Sequence, residues 1–431
     1  MALANQRAIR TAQFALQGEE LGRSTAQSAF ELKIVPTGTV GRLGTSGLTT
    51  ATGYNSSVGV QVSRRLETTG TLISLGPSYN RSGGDANTTL TLNIEQPLMR
   101  GWDPAVNLDP VRRAQFAVAS SQRALEAART NTALEAIGAY YAVLREKQLF
   151  DVAESQRVRI EQHTAVAEAK ERSGIIGPMD LLRAQVRLKE SEDAANQARV
   201  NVEAALNRLR RALDIALDTG LRLAPAPDAR LGGGDLEGEA VERRAEIVQL
   251  RADLDEAVRA VDVARKNVRP EVTLHIVAGQ ATQIDPFLAQ YVPTTTRTWN
   301  VYLQSSSDLT RTAEKNALAQ AELRVETARM ALETKIEDVR RQVREQRLQL
   351  ADARVRIGLR EEQIRQAEAR LALAQVKFSH DMASNLDVLE AETELQRAEA
   401  VVAAARADYA VGVYQLRAMA GHLLSRGEGR S

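Results

Sequence analysis

The chain has no cysteine, which excludes disulfides, thiolate metal sites and a lipid carried on an N-terminal Cys. Aromatic residues make up only 4% of the 431 positions, too few for an ordinary globular core. No run of 18 apolar residues occurs, so no membrane-spanning helix is encoded. Residues 1–20 alternate polar and apolar at helical spacing without the hydrophobic core of a signal peptide. For an exported protein this reads as a mature form. Neither sign of charge dominates: 56 basic against 55 acidic residues leave a net charge of +1 and no footprint for nucleic acid. The four histidines, His163, His275, His380 and His422, stand singly, without partners at metal-ligand spacing. His380–Asp381 comes nearest to a metal pair, and a solvated loop is the simpler reading. No glycine-rich phosphate loop follows a strand and no catalytic constellation is present, so the sequence predicts neither an enzyme nor a bound cofactor.

The abundant residues are Ala, Leu, Glu and Arg, the profile of long helices and coiled coils. One helical bend occurs twice. KERSGIIGPMDLLRAQVRLK (170–189) lies over KFSHDMASNLDVLEAETELQ (377–396) without a gap, matching Lys170 to Lys377, Asp180 to Asp387, Leu182 to Leu389, Ala184 to Ala391 and Leu188 to Leu395. Leu209-Arg210 over Leu416-Arg417 keeps the register. Each copy breaks a long helical pattern and restarts it, through Gly174, Gly177 and Pro178 or through Ser379, Asp381, Ser384 and Asn385. The chain therefore reads as two helical hairpins from an internal duplication. The first repeat covers 1–217, a linker 218–238 carries the Pro/Gly-rich LAPAPDARLGGG, and the second repeat covers 239–431.

In order, the pattern predicts a helix over 1–29, with apolar Ala8, Ala12, Leu16 and Leu21. Alternating strands follow at Phe30–Ile34, Val58–Val62, Leu72–Leu75 and Leu90–Ile94, separated by loops at 41–57 and 80–87. Long helices are predicted at 109–171 and 178–217, then a helix at 239–268 stopped by Pro270. Strands at Val272–Ile276 and Trp299–Leu303 flank a loop containing Pro286 and Pro293. Helices at 312–377 and 385–424 complete the chain. Joined end to end, a helix of about 30 residues and one of about 40 match a long one near 100 Å, giving four equal rods.

Along 312–377, Ile336, Val343, Leu350, Ile357, Ile364 and Leu371 recur every seven residues. A straight helix drifts by about 20° per heptad, so this seam requires supercoiling against a neighbour. A two-stranded coiled coil would account for the seam but not for the strands. Four or six short strands are fewer than the about eight that a closed barrel needs. Their one-sided apolar faces fit a lipid-out, lumen-in barrel as well as any half-buried sheet. Phe30, Tyr54, Tyr79, Trp102, Phe287 and Tyr291 sit near strand ends or in connecting loops, as interfacial aromatics do. Several chains pooling strands would close the sheet.

QPLMRG (96–101), ARKNVRPEVTL (264–274), the bend Asn385-Leu386-Asp387-Val388-Leu389, and Gly174 with Met179-Asp180-Leu181-Leu182 together resemble the TolC-like outer-membrane efflux proteins. The resemblance covers nearly the whole chain. It implies a mainly α fold with β: two long hairpins forming part of a helical tunnel, and strands shared in a transmembrane barrel of a homotrimer. It also implies a passive exit duct of a tripartite efflux or type I secretion system, set in the outer membrane with a periplasmic tunnel. The implied partners are outer-membrane lipid, a periplasmic adaptor reached by the hairpin tips (Gly174, Ile175, Ile176, Gly177, Asp381, Met382) and an inner-membrane transporter. A helical scaffold or an adaptor is the alternative.

Asp387 and Glu390 are i and i+3, on one helix face. The resemblance implies that this face lines the periplasmic constriction; the plain alternative is two acids favouring a helix dipole. In relatives the acid matching Asp180 locks the tip shut through a Tyr and an Arg, at positions held here by Phe378 and Ala383. The lock is therefore absent here. Arg183 pairs with Asp180 only within its own helix, so the duct is expected either to open more readily or to close by another contact, the packing of Phe378 with Ile175 and Ile176. Ser305-Ser306-Ser307-Asp308 replaces a frequent Pro, and the extra strand pair around 58–76 leaves twelve or eighteen barrel strands as the options.

Overall fold

The computed structural model describes Leu3 and residues 6–45, 51–82, 85–224, 234–284, 294–380 and 382–424. Asp381, Phe287, Tyr291, Pro286, Pro293 and most of the linker at 223–234 lie outside these. The elements in order are α1 (Arg7–Gln27) with a 3-10 turn (Ser28–Phe30), β1 (Lys33–Thr45), β2 (Ala51–Arg65), β3 (Leu72–Ser82) and β4 (Asp85–Pro97). They continue with α2 (Pro104–Asn107), α3 (Asp109–Arg172), α4 (Pro178–Leu213), α5 (Leu236–Arg243), α6 (Ala245–Asn267), β5 (Val272–Ile284), β6 (Thr294–Ser305), α7 (Thr312–Ser379) and α8 (Asn385–Met419). Among the described residues no helix is long and apolar enough to cross a membrane. Two compact units form: Met1–Phe14 with Arg123–Val248 and Glu333–Ser431, and Ala15–Gln122 with Gln249–Leu332. Each sequence repeat contributes to both.

In the second unit the six strands form one antiparallel meander ordered β1-β2-β3-β4-β5-β6. Its register carries one row of side chains, Ile34–Val62–Leu75–Leu92–Ala278–Trp299, across every strand on a single face. The opposite face is mostly polar: Ser63, Ser74, Asn93 and Asn300 align, Thr39 bonds Ser57 at 2.6 Å and Ser78 bonds Thr89 at 2.6 Å. Pro77 has no N–H to give, and the β2–β3 ladder skips from Gly59–Ser78 to Val62–Leu75 around it. The turn between β2 and β3 closes through Leu66 N–H to the Thr71 carbonyl at 2.9 Å. Gly70 holds φ of +67° there, where a Cβ would lie 2.6 Å from the Gly101 carbonyl oxygen.

The strand exit and the helix–proline–strand junction meet. Leu98 N–H donates to the Val272 carbonyl at 2.8 Å and Arg100 N–H to the Pro270 carbonyl at 3.2 Å. Asp103 caps α2 through Ala105 N–H at 2.8 Å and takes Lys266 at 3.0 Å, and that backbone bond holds its carboxyl below the usual range. Arg259 bonds both Asp109 and Glu256, at 2.7 and 2.6 Å.

Several boundaries differ from the sequence reading. Phe30 ends a 3-10 turn and is buried, and β1 begins only at Lys33. The segment 41–57, predicted as loop, is strand to Thr45 and again from Ala51; likewise β3 reaches Ser82 and β4 resumes at Asp85. Gly, Ser and Asn have little strand propensity, but ladder bonds join backbone groups whatever the side chain. The helix predicted over 239–268 is two, because Arg244 is extended at ψ 124°. It donates its Nη1 to Gln342 at 3.0 Å and pairs with Glu246 at 3.6 Å. In α1 only Ile9 is buried, and Leu21 is 70% exposed.

The first unit contains both bends, and they share one long closing hydrogen bond. Ile175 N–H reaches Lys170 O at 2.9 Å, and Met382 N–H reaches Lys377 O at 2.8 Å. These are the six-residue closures of a Schellman turn, with Gly174 left-handed at φ +74° in the first. The return helices stop alike: Ile215 N–H bonds Arg210 O and His422 N–H bonds Arg417 O, past left-handed Asp214 and Gly421. Every pair is offset by the same 207 residues.

Candidate functional site

On α7 the heptad seam faces inward. Val343, Leu350 and Leu371 are buried, and Ile336, Ile357 and Ile364 are half-buried. A second row runs beside it through Val339, Gln346, Ala353, Arg360 and Ala367, so Arg360, which the single-row reading leaves off the face, sits on it half-buried. α8 packs so closely that a Cβ at Gly412 would lie 2.8 Å from Leu350 Cδ2. Phe378 continues the sevenfold series from Leu371.

At the tip Phe378 is 5% exposed, in a core of Ala367, Leu371, Val388, Ala391 and Leu395. Ile175 is 54% exposed and Ile176 half-buried, so the partners of Phe378 are not the isoleucines expected from the sequence. Lys170, at the end of α3, donates Nζ to the Phe378 carbonyl oxygen at 2.6 Å and lies 4.3 Å from its ring centre, and the His163 ring is 4.9 Å away. Near the tip, further polar bonds join the hairpins. Arg159 Nε reaches Glu392 at 2.7 Å, and Arg187 Nη2 reaches the Thr393 hydroxyl at 2.6 Å.

Glu392 is 1% exposed, and near it Glu399 is half-buried. Burial pushes the Glu399 carboxyl above its usual range and Glu368 and Glu392 add to this, against the pull of Arg159. The spacing holds a signal for this cluster, because Glu392 and Glu399 follow Val388 and Leu395 by four residues and share their helix face.

Asp387 closes a capping box with Ser384, whose N–H and hydroxyl both reach Asp387 Oδ2 at 2.8 Å. Those bonds hold its carboxyl below the usual range. Glu390 is exposed and lines an open cleft of about 770 Å³ between α4 and α8, floored by Leu182, Val186, Leu386 and Leu389. Arg183 pairs with Asp180 at 3.6 Å, within α4 as expected. Ala383 is half-buried and Met382 exposed at 69%. Gly174 and Gly177 are exposed in the first bend. Among the described residues no group of three or more acidic, His or Cys side chains is placed to hold a metal.

The outer membrane efflux protein family matches residues 1–214 and 236–422. Protein CyaE of Bordetella pertussis is 28% identical over 182 residues, a stretch covering 41% of this chain and 38% of that protein. Among solved structures, CusC shares the fold with a TM-score of 0.77 at 17% identity, over 97% of this chain and 90% of its own. The CmeC outer membrane channel of Campylobacter jejuni gives 0.75 at 15%, over 99% and 85%. VceC of Vibrio cholerae, an outer membrane protein, gives 0.73 at 17%, over 98% and 95%.

Proposed function

The chain belongs to the outer membrane efflux protein family, and from that premise we propose that three copies form one passive duct through the outer membrane and periplasm. The fold and family are those of channel proteins. The observation that carries the proposal is the six-stranded sheet, apolar across one face and polar across the other. In lipid each unpaired backbone group costs several kcal/mol, and six strands are too few to close alone. Pooling strands from identical copies removes every edge.

The duplicated hairpins supply the tunnel, and the chain reads as repeats 1–217 and 239–431 joined by 218–238. The bends, with Gly174, Ile175, Ile176, Gly177, Asp381 and Met382, are the surface offered to a periplasmic adaptor, with an inner-membrane transporter supplying the energy. Asp387 and Glu390 from three copies place six carboxylates near the tip, a ring that draws cations and repels anions. The test is mass by light scattering in detergent together with current across a planar bilayer. A trimer that conducts is expected; a monomer folded without detergent overturns the proposal.

A further inference from the structure

We infer that the barrel contains eighteen strands, six from each copy, with β1 of one copy hydrogen-bonded to β6 of the next. The inference rests on the trimeric duct proposed above and adds the strand count, the joint and the bore.

Four strands adjoin helices: β1 follows α1, β4 leads into α2, β5 follows α6 and β6 leads into α7. The remaining two, β2 and β3, touch no helix in sequence and are joined to each other by the turn around Gly70. A hairpin inserted in this way has the option of folding outside a twelve-stranded wall. Its pairing and its faces place it inside. β2 pairs along the whole of β1, and the whole of β3 pairs with β4, in one unbroken order. Val62 and Leu75 fill the middle of the apolar row that Ile34 and Leu92 bound, while Ser63 and Ser74 fall on the polar face with Asn93. A one-residue slip would exchange the faces, so the register of β2 and β3 is set to the same lipid-facing belt as the other four strands.

The free edges are β1, 13 residues, and β6, 12 residues, long enough to pair along their full lengths. Pro36 removes a single donor from β1. With strands about 4.8 Å apart and tilted by about 40°, eighteen strands give a Cα diameter of about 36 Å, against about 24 Å for twelve. Side chains leave room for more than one helix about 10 Å across. The strand region is therefore no size filter for cargo up to a helical segment of polypeptide, and selection by size falls to the helical part of the duct.

The absence of native cysteine permits a clean test on the full-length trimer in detergent. Thr37→Cys combined in turn with Thr296→Cys, Thr298→Cys or Asn300→Cys should yield covalent dimers and trimers on oxidation, because these positions share the polar face. Electron cryomicroscopy should show eighteen strands and a ring 1.5-fold wider than one of twelve. Cross-links formed from Ser78→Cys but from no β1 position, or a ring of twelve, would overturn the inference and leave the duct intact. Failure of the unmodified chain to form a trimer would instead reject the duct on which the inference rests.

Discussion

Lys170 holds Phe378 twice, through the carbonyl oxygen at 2.6 Å and through the face of the ring at 4.3 Å. The contact ties the end of one hairpin to the end of the other at the place where the Tyr–Arg lock of the family is missing. A charge-assisted bond contributes about 1.5–3 kcal/mol, enough to shift an open–closed balance by about tenfold or more. Lys170→Met should therefore raise single-channel conductance. Phe378→Leu keeps the carbonyl and loses the ring, and should raise it less. Phe378→Tyr with Ala383→Arg restores the family's lock and should lower it. Equal conductance in Lys170→Met and the parent would remove Lys170 from closure.

The seam predicts a sharp contrast on α7. Leu350→Asp places an unpaired charge against α8 and should cost about 3 kcal/mol or more, losing assembly on native gels. Exposed Arg347→Ala should leave the melting temperature nearly unchanged. Gly412→Ala should destabilise by about 1–3 kcal/mol through overpacking on Leu350, and Leu350→Ala in the same chain should recover part of that loss. Strict additivity in this cycle would mean that the two residues do not touch.

Glu399 makes stability depend on pH. Its folded value lies above the usual 4.5, so the folded chain keeps a proton that the unfolded chain releases. This contribution is full below the unfolded value and is lost as pH rises through the raised folded one. Glu399→Gln should raise the melting temperature at pH 7–8 and give little change at pH 4. A gain of equal size at both values would contradict the assignment. By contrast Glu392→Gln leaves Arg159 without its carboxylate and should destabilise at neutral pH by about 3 kcal/mol.

For ion selectivity, the expected result is that Asp387→Ala with Glu390→Ala lowers the cation preference measured by reversal potential under a salt gradient. Asp387 also caps α8, so the pair Asp387→Asn with Glu390→Gln, which better keeps the helix start, should show the same shift. Unchanged selectivity in both would take the two acids out of the constriction.

The sequence made the duplication, the hairpins and the Ile336–Leu371 seam legible because each rests on a long, repeated period that local exceptions do not erase. Strand extents were less legible. Residues 41–57 hold no Val or Ile and are rich in Gly and Ser, and the ladder that makes most of them strand pairs 41–45 with 51–55 and 55–57 with 80–82, a register that no alternation of apolar residues announces. Glu392 is hard to single out because a glutamate on a charged helix reads as solvated; only its spacing from Val388 and Leu395 marks it as buried. The break at Arg244 has no glycine or proline to announce it and depends on Gln342, about a hundred residues away. Lys170 matches Lys377 in the duplication, yet its partner Phe378 lies on the other hairpin, which no local pattern reveals.

The long closing bond shared by the two bends makes the chain its own control. The loops 173–177 and 380–384 occupy matching places, each following a Lys whose carbonyl accepts the closing bond and each followed by a restart whose third residue is Asp. Exchanging them should preserve the closing bond to the entering helix, which is main-chain in both, and should carry the Ser384 side-chain cap along with the tip chemistry. A chimera carrying 380–384 in both positions would double one copy's surface features around the ring. What each copy contributes to recognition is then separable from what it contributes to shape.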